Sequence, residues 1–342
     1  MALMLNKSRR ALPLILYKSK NITEQIVPFL QQITIVENLE GVFDEATLKF
    51  DNKNNIFLNE NWAFAKGSSV KIGVNTLNWE NENAGIVEKI IGEYNIDYKK
   101  FTFKTATVKC ISAPLKAKNQ ENTNIYNIIS LKELGKEIAG KYKLKYSYKG
   151  QDIVLNDVKQ EKTTDFKFLN DIAAKEGIKL KVTNRTLALF EEEELLKQKA
   201  VGTFDINYFT DFEIDDKSNE IYDAIELSYF DATEDEEKKV LLTKSELEGG
   251  NKKEYEKLLK TKVRAKDNNF RRLAKNLLNK ANRHEIIMTF KTIGYLNLYP
   301  GVIINITNAA EYSGKYLITK ITYNLPKFDI AVEAYKVKRE NI

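Results

Sequence analysis

Over its first hundred or so positions this 342-residue chain places its apolar residues in short runs with a period of two, and nothing else in it constrains the fold as strongly. Residues 12–17, 33–36, 46–50, 70–74, 85–91 and 101–110 are apolar or alternating stretches, separated by clusters of Asn, Gly and Asp. In the last of them Phe101, Phe103, Thr105, Thr107 and Lys109 fall on one face of an extended strand. Successive side chains of a strand point to opposite faces, so such runs suit half-buried strands. Strands at this spacing, with almost no helical periodicity between them, predict a small antiparallel barrel or sandwich. The chain opens with Lys7, Arg9 and Arg10 ahead of an apolar run of about six residues, which is shorter than a secretion signal requires and is followed by no small-residue cleavage site. It reads as the first strand.

The period changes from about residue 114. Ser130-Leu-Lys-Glu133 is a capping box, in which the serine hydroxyl and the glutamate carboxylate satisfy each other's orphan amides. Leu131, Leu134 and Ile138 then share a helical face, with Gly140 as a stop. Residues 141–148 alternate as a strand. A second helix over 165–176 puts Phe166, Leu169, Ile172 and Ala173 together and ends at Gly177, and 178–182, the turn Asn184-Arg185 and 186–190 spell a hairpin. Strands return at 212–214 and 224–230. A charged segment follows, in which Phe270, Leu273, Ala274, Leu277, Leu278 and Ala281 form one apolar helical stripe. From 285 onward the pattern is β again. The fold class is therefore α+β, mainly β. Two small antiparallel β-barrel domains, 1–113 and 204–232 with 285–342, flank an α+β module at 114–203, and a charged helical insert at 233–284 hangs from the second barrel.

The formal charge of +6 is local. Between Thr233 and His284 there are 15 basic and 9 acidic residues, and the rest of the chain holds 39 of each sign. The basic face of this insert includes Lys252, Lys253, Lys257, Arg264, Arg271, Arg272 and Lys275. It suits docking to an acidic partner. The adjoining acidic run 234–237 and the scarcity of aromatic residues argue against nucleic acid. Catalytic signals are few. One cysteine, Cys110, allows neither an internal disulfide nor a Cys-rich zinc site, and one histidine, His284, leaves no His pair for a metal. There is no phosphate-binding loop or dinucleotide fingerprint, and no apolar run reaches the roughly 18–20 residues that span a bilayer. Neither cofactor nor metal is expected. Glu191-Glu-Glu-Glu194 reads as a solvated first helical turn whose carboxylates repel and point apart.

The C-terminal third carries a resemblance. The turn Gly294-Tyr-Leu-Asn-Leu298-Tyr-Pro300-Gly301 leads into the strand 302–306, and Ser313-Gly314-Lys-Tyr316-Leu-Ile-Thr-Lys-Ile-Thr-Tyr323 follows. Together with the helix 164–177 before its hairpin, and with 61–74, this order resembles the phage late control protein D family. Its members are baseplate hub proteins of contractile tails, related to the hub part of VgrG spike proteins. The resemblance implies a non-enzymatic homotrimer in which two barrels per subunit form a pseudo-sixfold ring. That ring joins the tail tube to a central spike protein among other baseplate proteins, in a virion tail or phage-tail-like particle assembled in the bacterial cytoplasm without a signal peptide. It gives Gly294, Leu298, Pro300, Gly301, Gly314 and Tyr316 structural roles as turn and strand-entry residues, Pro fixing φ and Gly taking positive φ. Where VgrG proteins carry a histidine, this chain has Tyr323, and no needle-like β-helix follows Ile342, so the spike is expected to be a separate chain. Two other readings compete. One is a murein-degrading tail enzyme with carboxylates in a cleft of the α+β module, and the other is nucleic-acid binding through residues 252–283.

Overall fold

A computed structural model describes residues 9–40, 43–59, 62, 64–231, 235–247, 249–263 and 270–337. Strands are numbered along the chain. The first block holds β1 (Arg10–Tyr17), β2 (Lys20–Asn21), β3 (Leu30–Asn38), β4 (Glu45–Asp51), β5 (Ser69–Leu77), β6 (Ile86–Phe101) and β7 (Thr105–Ile111). All of them pair antiparallel, in the order β3-β4-β7-β6-β5-β1-β2. The expected continuous strand over 101–110 is broken. The Thr102 hydroxyl accepts from the amides of Thr105 (2.9 Å) and Lys104 (3.3 Å), and Asn52 Nδ2 donates to the Thr102 carbonyl at 2.7 Å. A threonine side chain can compete with a ladder in this way. The chain therefore reverses, and Phe103 is left exposed at the tip.

The middle region is a separate layer. It contains β8 (Glu121–Ser130), the helix Leu131–Lys141, β9 (Lys145–Lys149), β10 (Val154–Thr164), the helix Asp165–Lys175, β11 (Ile178–Thr183) and β12 (Thr186–Glu191). Both halves of the capping box form, with Glu133 N donating to Ser130 Oγ at 3.1 Å and Ser130 N to Glu133 Oε2 at 3.2 Å. The first helix runs through Gly140, so 141–144 is helix end and turn rather than strand. β8 and β10 form a two-stranded ribbon, while β11, β12 and β9 form a small sheet with β12 parallel to β9. Asn184 and Arg185 have φ of 46° and 57°, as a two-residue type I′ turn requires. Leu131, Leu134, Ile138, Leu169 and Ala173 close this module's own core.

The last block supplies β13 (Thr203–Asp205), β14 (Asp211–Asp216), β18 (Ile286–Ile293), β19 (Ile303–Thr307), β20 (Gly314–Leu325) and β21 (Asp329–Lys336). It does not close on itself. β20 pairs with β21 on one side, and on the other with β19 through its first residues and β3 through its last. A register shift between Ile318 and Lys320 makes room for this. There the Thr319 carbonyl accepts from Leu39 N at 2.8 Å while its hydroxyl donates to the Glu333 carbonyl at 3.1 Å. The two blocks thus share one thirteen-stranded sheet, and a single core runs from Ile15, Phe50 and Ile72 to Phe290, Ile318 and Val332. Two barrels closed separately are not observed, because the buried faces of both blocks merge.

The charged insert is not purely helical. Its helix Phe270–Asn282 packs on a three-stranded sheet of β15 (Ala224–Asp231), β16 (Glu236–Thr243) and β17 (Leu258–Lys262), with β15 in the centre. β15, expected in the second barrel, therefore belongs to the insert. Ile225, Leu227, Leu273, Ala274 and Leu278 form its core, and the apolar residues packed against them, among the described residues, lie between 222 and 278.

Candidate functional site

The turn residues 294–301 lie where the two strand blocks and the middle module join, whereas Gly314 and Tyr316 sit within the last block. Gly294 N donates to the Phe328 carbonyl at 2.7 Å, and a Cβ at Gly294 would lie 2.6 Å from the Phe328 ring, so only glycine lets the ring close over the turn. Trp79, from the first block, donates its indole N–H to the Gly294 carbonyl at 2.6 Å and packs on Phe328 with ring centroids 5.1 Å apart. Leu298 is buried, and its carbonyl accepts from the Tyr323 hydroxyl at 2.8 Å. Pro300 precedes Gly301, whose φ of 100° turns the chain so that its amide donates to Ile318. Gly314 opens β20 two residues before Tyr316, which is fully buried and donates its hydroxyl to the Tyr312 carbonyl at 2.6 Å.

Beside this turn lies a cavity of about 310 Å³ whose lining includes Glu37, Lys89, Lys181, Leu298, Tyr299 and Tyr323. Burial, and then the neighbouring Asp44, push the Glu37 carboxyl up to about 7. The Tyr323 hydroxyl lies 3.4 Å from it. Burial also raises Asp44, although Lys181 Nζ is 3.3 Å away and opposes it. Lys181 donates as well to the Asn38 carbonyl. Asp44 N donates to Ser112 Oγ at 3.0 Å, and Ser112 Oγ donates in turn to the Val182 carbonyl at 2.6 Å. These bonds sew β11 of the module to β3 and the end of β7 in the main sheet.

A second polar knot joins all three units. Lys179 of β11 pairs with Glu40, and Arg283, just past the insert helix, pairs with Glu40 and with Glu192 Oε2 at 2.8 Å. Tyr335 of β21 donates to Glu192 Oε1 at 2.6 Å. Burial alone would raise Glu40, but Arg283 and Lys179 outweigh it and hold the carboxyl below the usual carboxylate range. Burial lowers the Lys179 ammonium despite its two carboxylate partners.

The acidic run and the basic face, unconnected in the sequence, meet here. Each of the four carboxylates takes a different cation: Glu191 lies 3.7 Å from Arg272, Glu192 pairs with Arg283, Glu193 lies 2.9 Å from Lys275, and Glu194 pairs with Lys197. Arg272 also donates to the Glu176 carbonyl at 3.1 Å, Arg271 to the Glu246 carbonyl, and Lys257 Nζ to the Glu220 carbonyl at 2.9 Å. Two residues of the expected docking face, Arg272 and Lys275, are therefore occupied within the chain, while Arg271 is exposed. Lys252 and Lys253 stay exposed, and Arg264 lies outside the described residues. Glu37, the carboxyl raised toward neutrality, lies on β3 and not in the module, where Asp165 pairs with Lys141 and Asp171 with Lys167. Glu37, Asp44, Glu40 and Lys179 are absent from any motif. Their only sequence signal is a charged residue in an otherwise alternating apolar strand or at its end.

No protein-family model and no curated protein matches the chain by sequence. Solved structures do match by fold. A tail protein from Neisseria meningitidis MC58 superposes with a TM-score of 0.69 and 10% identity over 96% of this chain and 97% of its own. The prophage MuSo2 43 kDa tail protein from Shewanella oneidensis gives 0.66 and 9% over 96% and 98%. A chain of the Francisella PdpA–VgrG complex gives 0.54 and 10% over 98% of this chain and 60% of its own. The chain has the fold of the two tail proteins over nearly its whole length, and it spans about 60% of the length of the PdpA–VgrG complex chain.

Proposed function

We propose that this chain is a structural hub protein in the baseplate of a contractile phage tail or a phage-derived injection device. The observation that carries the reading is the likeness of fold along nearly the whole length of two tail proteins. Three copies form a pseudo-sixfold ring between the tail tube and a separate central spike, and the work of the chain is geometric rather than catalytic. The open sheet supports an assembled state. Its terminal strand β14 is exposed and acidic (Asp211, Glu213, Asp215, Asp216), whereas the opposite end carries Arg9, Arg10, Lys18 and Lys20. Unpaired sheet ends are sites of association, and ends of opposite sign suit head-to-tail closure. Gly294, Leu298, Pro300, Gly301, Gly314 and Tyr316 hold the two strand blocks at a fixed angle within the ring, and the exposed Lys252 and Lys253 face a neighbouring baseplate protein. Mass photometry and negative-stain imaging of the purified chain, alone and with its spike, test the proposal. A trimeric ring is expected. A monomer at every concentration, with no ring when the spike is added, overturns it.

A further inference from the structure

The insert is joined to the rest of the molecule in two ways that differ in kind. At its root, Lys217 N donates to the Glu285 carbonyl at 2.7 Å, which continues the β14–β18 ladder, and Asn282 exchanges two 2.8 Å bonds with the backbone of Tyr222. The side chain of Arg283 is only 11% exposed there. Beyond the root, the insert's apolar core draws, among the described residues, on nothing outside 222–278. What faces the middle module is polar. Arg272 and Lys275 reach Glu191, Glu193 and the Glu176 carbonyl across a cleft of about 570 Å³, and the Asn276 side chain lies against Gly177. Lys275 and Glu193 are half exposed.

We propose that residues 217–285 form an arm that swings on its two-stranded root, held against the middle module by a salt-sensitive latch of Arg272 and Lys275 on Glu191 and Glu193. The physical ground is the contrast between the attachments. A core that ends within the arm resists no separation from the module, and the half-exposed Lys275–Glu193 pair and the long 3.7 Å Arg272–Glu191 pair are weak and open to screening by salt, whereas the root is a ladder that persists. Opening uncovers the basic helix face and the acidic turn together, so the surface expected to dock an acidic protein segment is occupied within the chain until the latch yields. The inference concerns this chain alone and stands whether or not three copies form a ring.

The test is single-molecule energy transfer in the full-length chain, between dyes on Lys239→Cys in the arm and Lys159→Cys in the module. Cys110 is buried, with its thiol pushed up to about 12, and stays unlabelled at neutral pH. Raising NaCl from 50 mM to 1 M, where the screening length falls to about 3 Å, should enlarge the low-transfer population about threefold. Lys275→Glu should do the same at low salt, and Lys275→Glu combined with Glu193→Lys should restore the closed population. A distribution indifferent to salt and to Lys275→Glu overturns the proposal, and so does a double variant that stays open. Hydrogen exchange provides the control. Protection within Phe270–Asn282 must survive opening, and its loss would mean that the helix melts instead of swinging.

Discussion

The two strand blocks lie at opposite ends of the sequence yet are bound by a common interior, while the insert, threaded between two strands of one block, keeps an interior of its own. In the sheet, Ile321 of β20 is fully buried between β3 and β21, so a side chain from the last block shares one core with Ile33 and Ile35 from the first. In the arm, Leu278 shares a small apolar core with Leu273 and β15, and among the described residues that core takes its members from 222–278. Apolar content does not separate the two, because both have buried leucines and isoleucines. The direction of the apolar faces does. Strands with one apolar face must find another sheet or another part of the same sheet, whereas the arm's single amphipathic helix finds its partner strand locally and leaves charge outside.

The largest effect expected from this difference is on cooperativity. Ile321→Ala should cost about 4 kcal/mol and should lower amide protection in β4, β7, β18 and β21 together, since one cavity opens in one shared core. Leu278→Ala should cost about 3 kcal/mol, felt within 222–282 alone. Hydrogen exchange read by mass spectrometry distinguishes them. Protection in β4 and β7 that survives Ile321→Ala would split the sheet into two independent units and break the comparison.

The root of the arm should be nearly as costly as its core. Arg283→Met leaves Glu40 and Glu192 to share Lys179 alone in a partly buried knot, and about 3 kcal/mol of stability should be lost. Denaturant unfolding measures it. A loss below about 1 kcal/mol would make the root as weak as an exposed ion pair and erase the distinction between root and latch.

Glu37 gives the sheet a pH dependence of its own. Its carboxyl keeps a proton up to about pH 7 in the folded chain, against an ordinary value of 4.5. A raised carboxyl contributes stability that is whole below its unfolded value and is lost as the pH rises through the folded one. Between pH 4.5 and 7 the chain should therefore lose roughly 3 kcal/mol on account of this group. Glu37→Gln should flatten that slope in urea titrations and should be the more stable protein at pH 8. An unchanged slope would show that Glu37 ionises as freely as a surface carboxylate.

Local structure was legible wherever one short stretch decides it. The capping box at Ser130, the type I′ turn at Asn184-Arg185, the helix beginning at Asp165 and the apolar stripe before Asn282 all follow from side chains within a few residues of each other. What stayed hidden depends on distant pairing. Strand β15 has the same alternation whether it joins the main sheet or the insert, so its partners are fixed by β16 and β17, which hid inside a highly charged segment. Likewise, nothing local connects Glu191–Glu194 with Arg272 and Lys275, which lie some eighty residues away. A charged run reads as solvated until the fold supplies its counter-ion.

The smallest effect concerns a single methyl group at the seam between the blocks. At Gly294, the nearest atoms to an added Cβ belong to Phe328, a ring buried at 1% exposure and packed against Trp79. A flexible side chain would turn aside, but a packed ring cannot, so Gly294→Ala should cost about 2 kcal/mol as overpacking. The indole bond should suffer first, because Trp79 reaches the Gly294 carbonyl only while the ring lies flat over the turn. Trp62 lies far along the first block and packs against Phe29 and Phe57, so Trp62→Phe leaves Trp79 as the sole reporter. In that background Gly294→Ala should shift Trp79 emission to the red as water enters the seam. Emission that stays blue, with full stability, would mean that the two blocks meet loosely here and that β20 alone joins them.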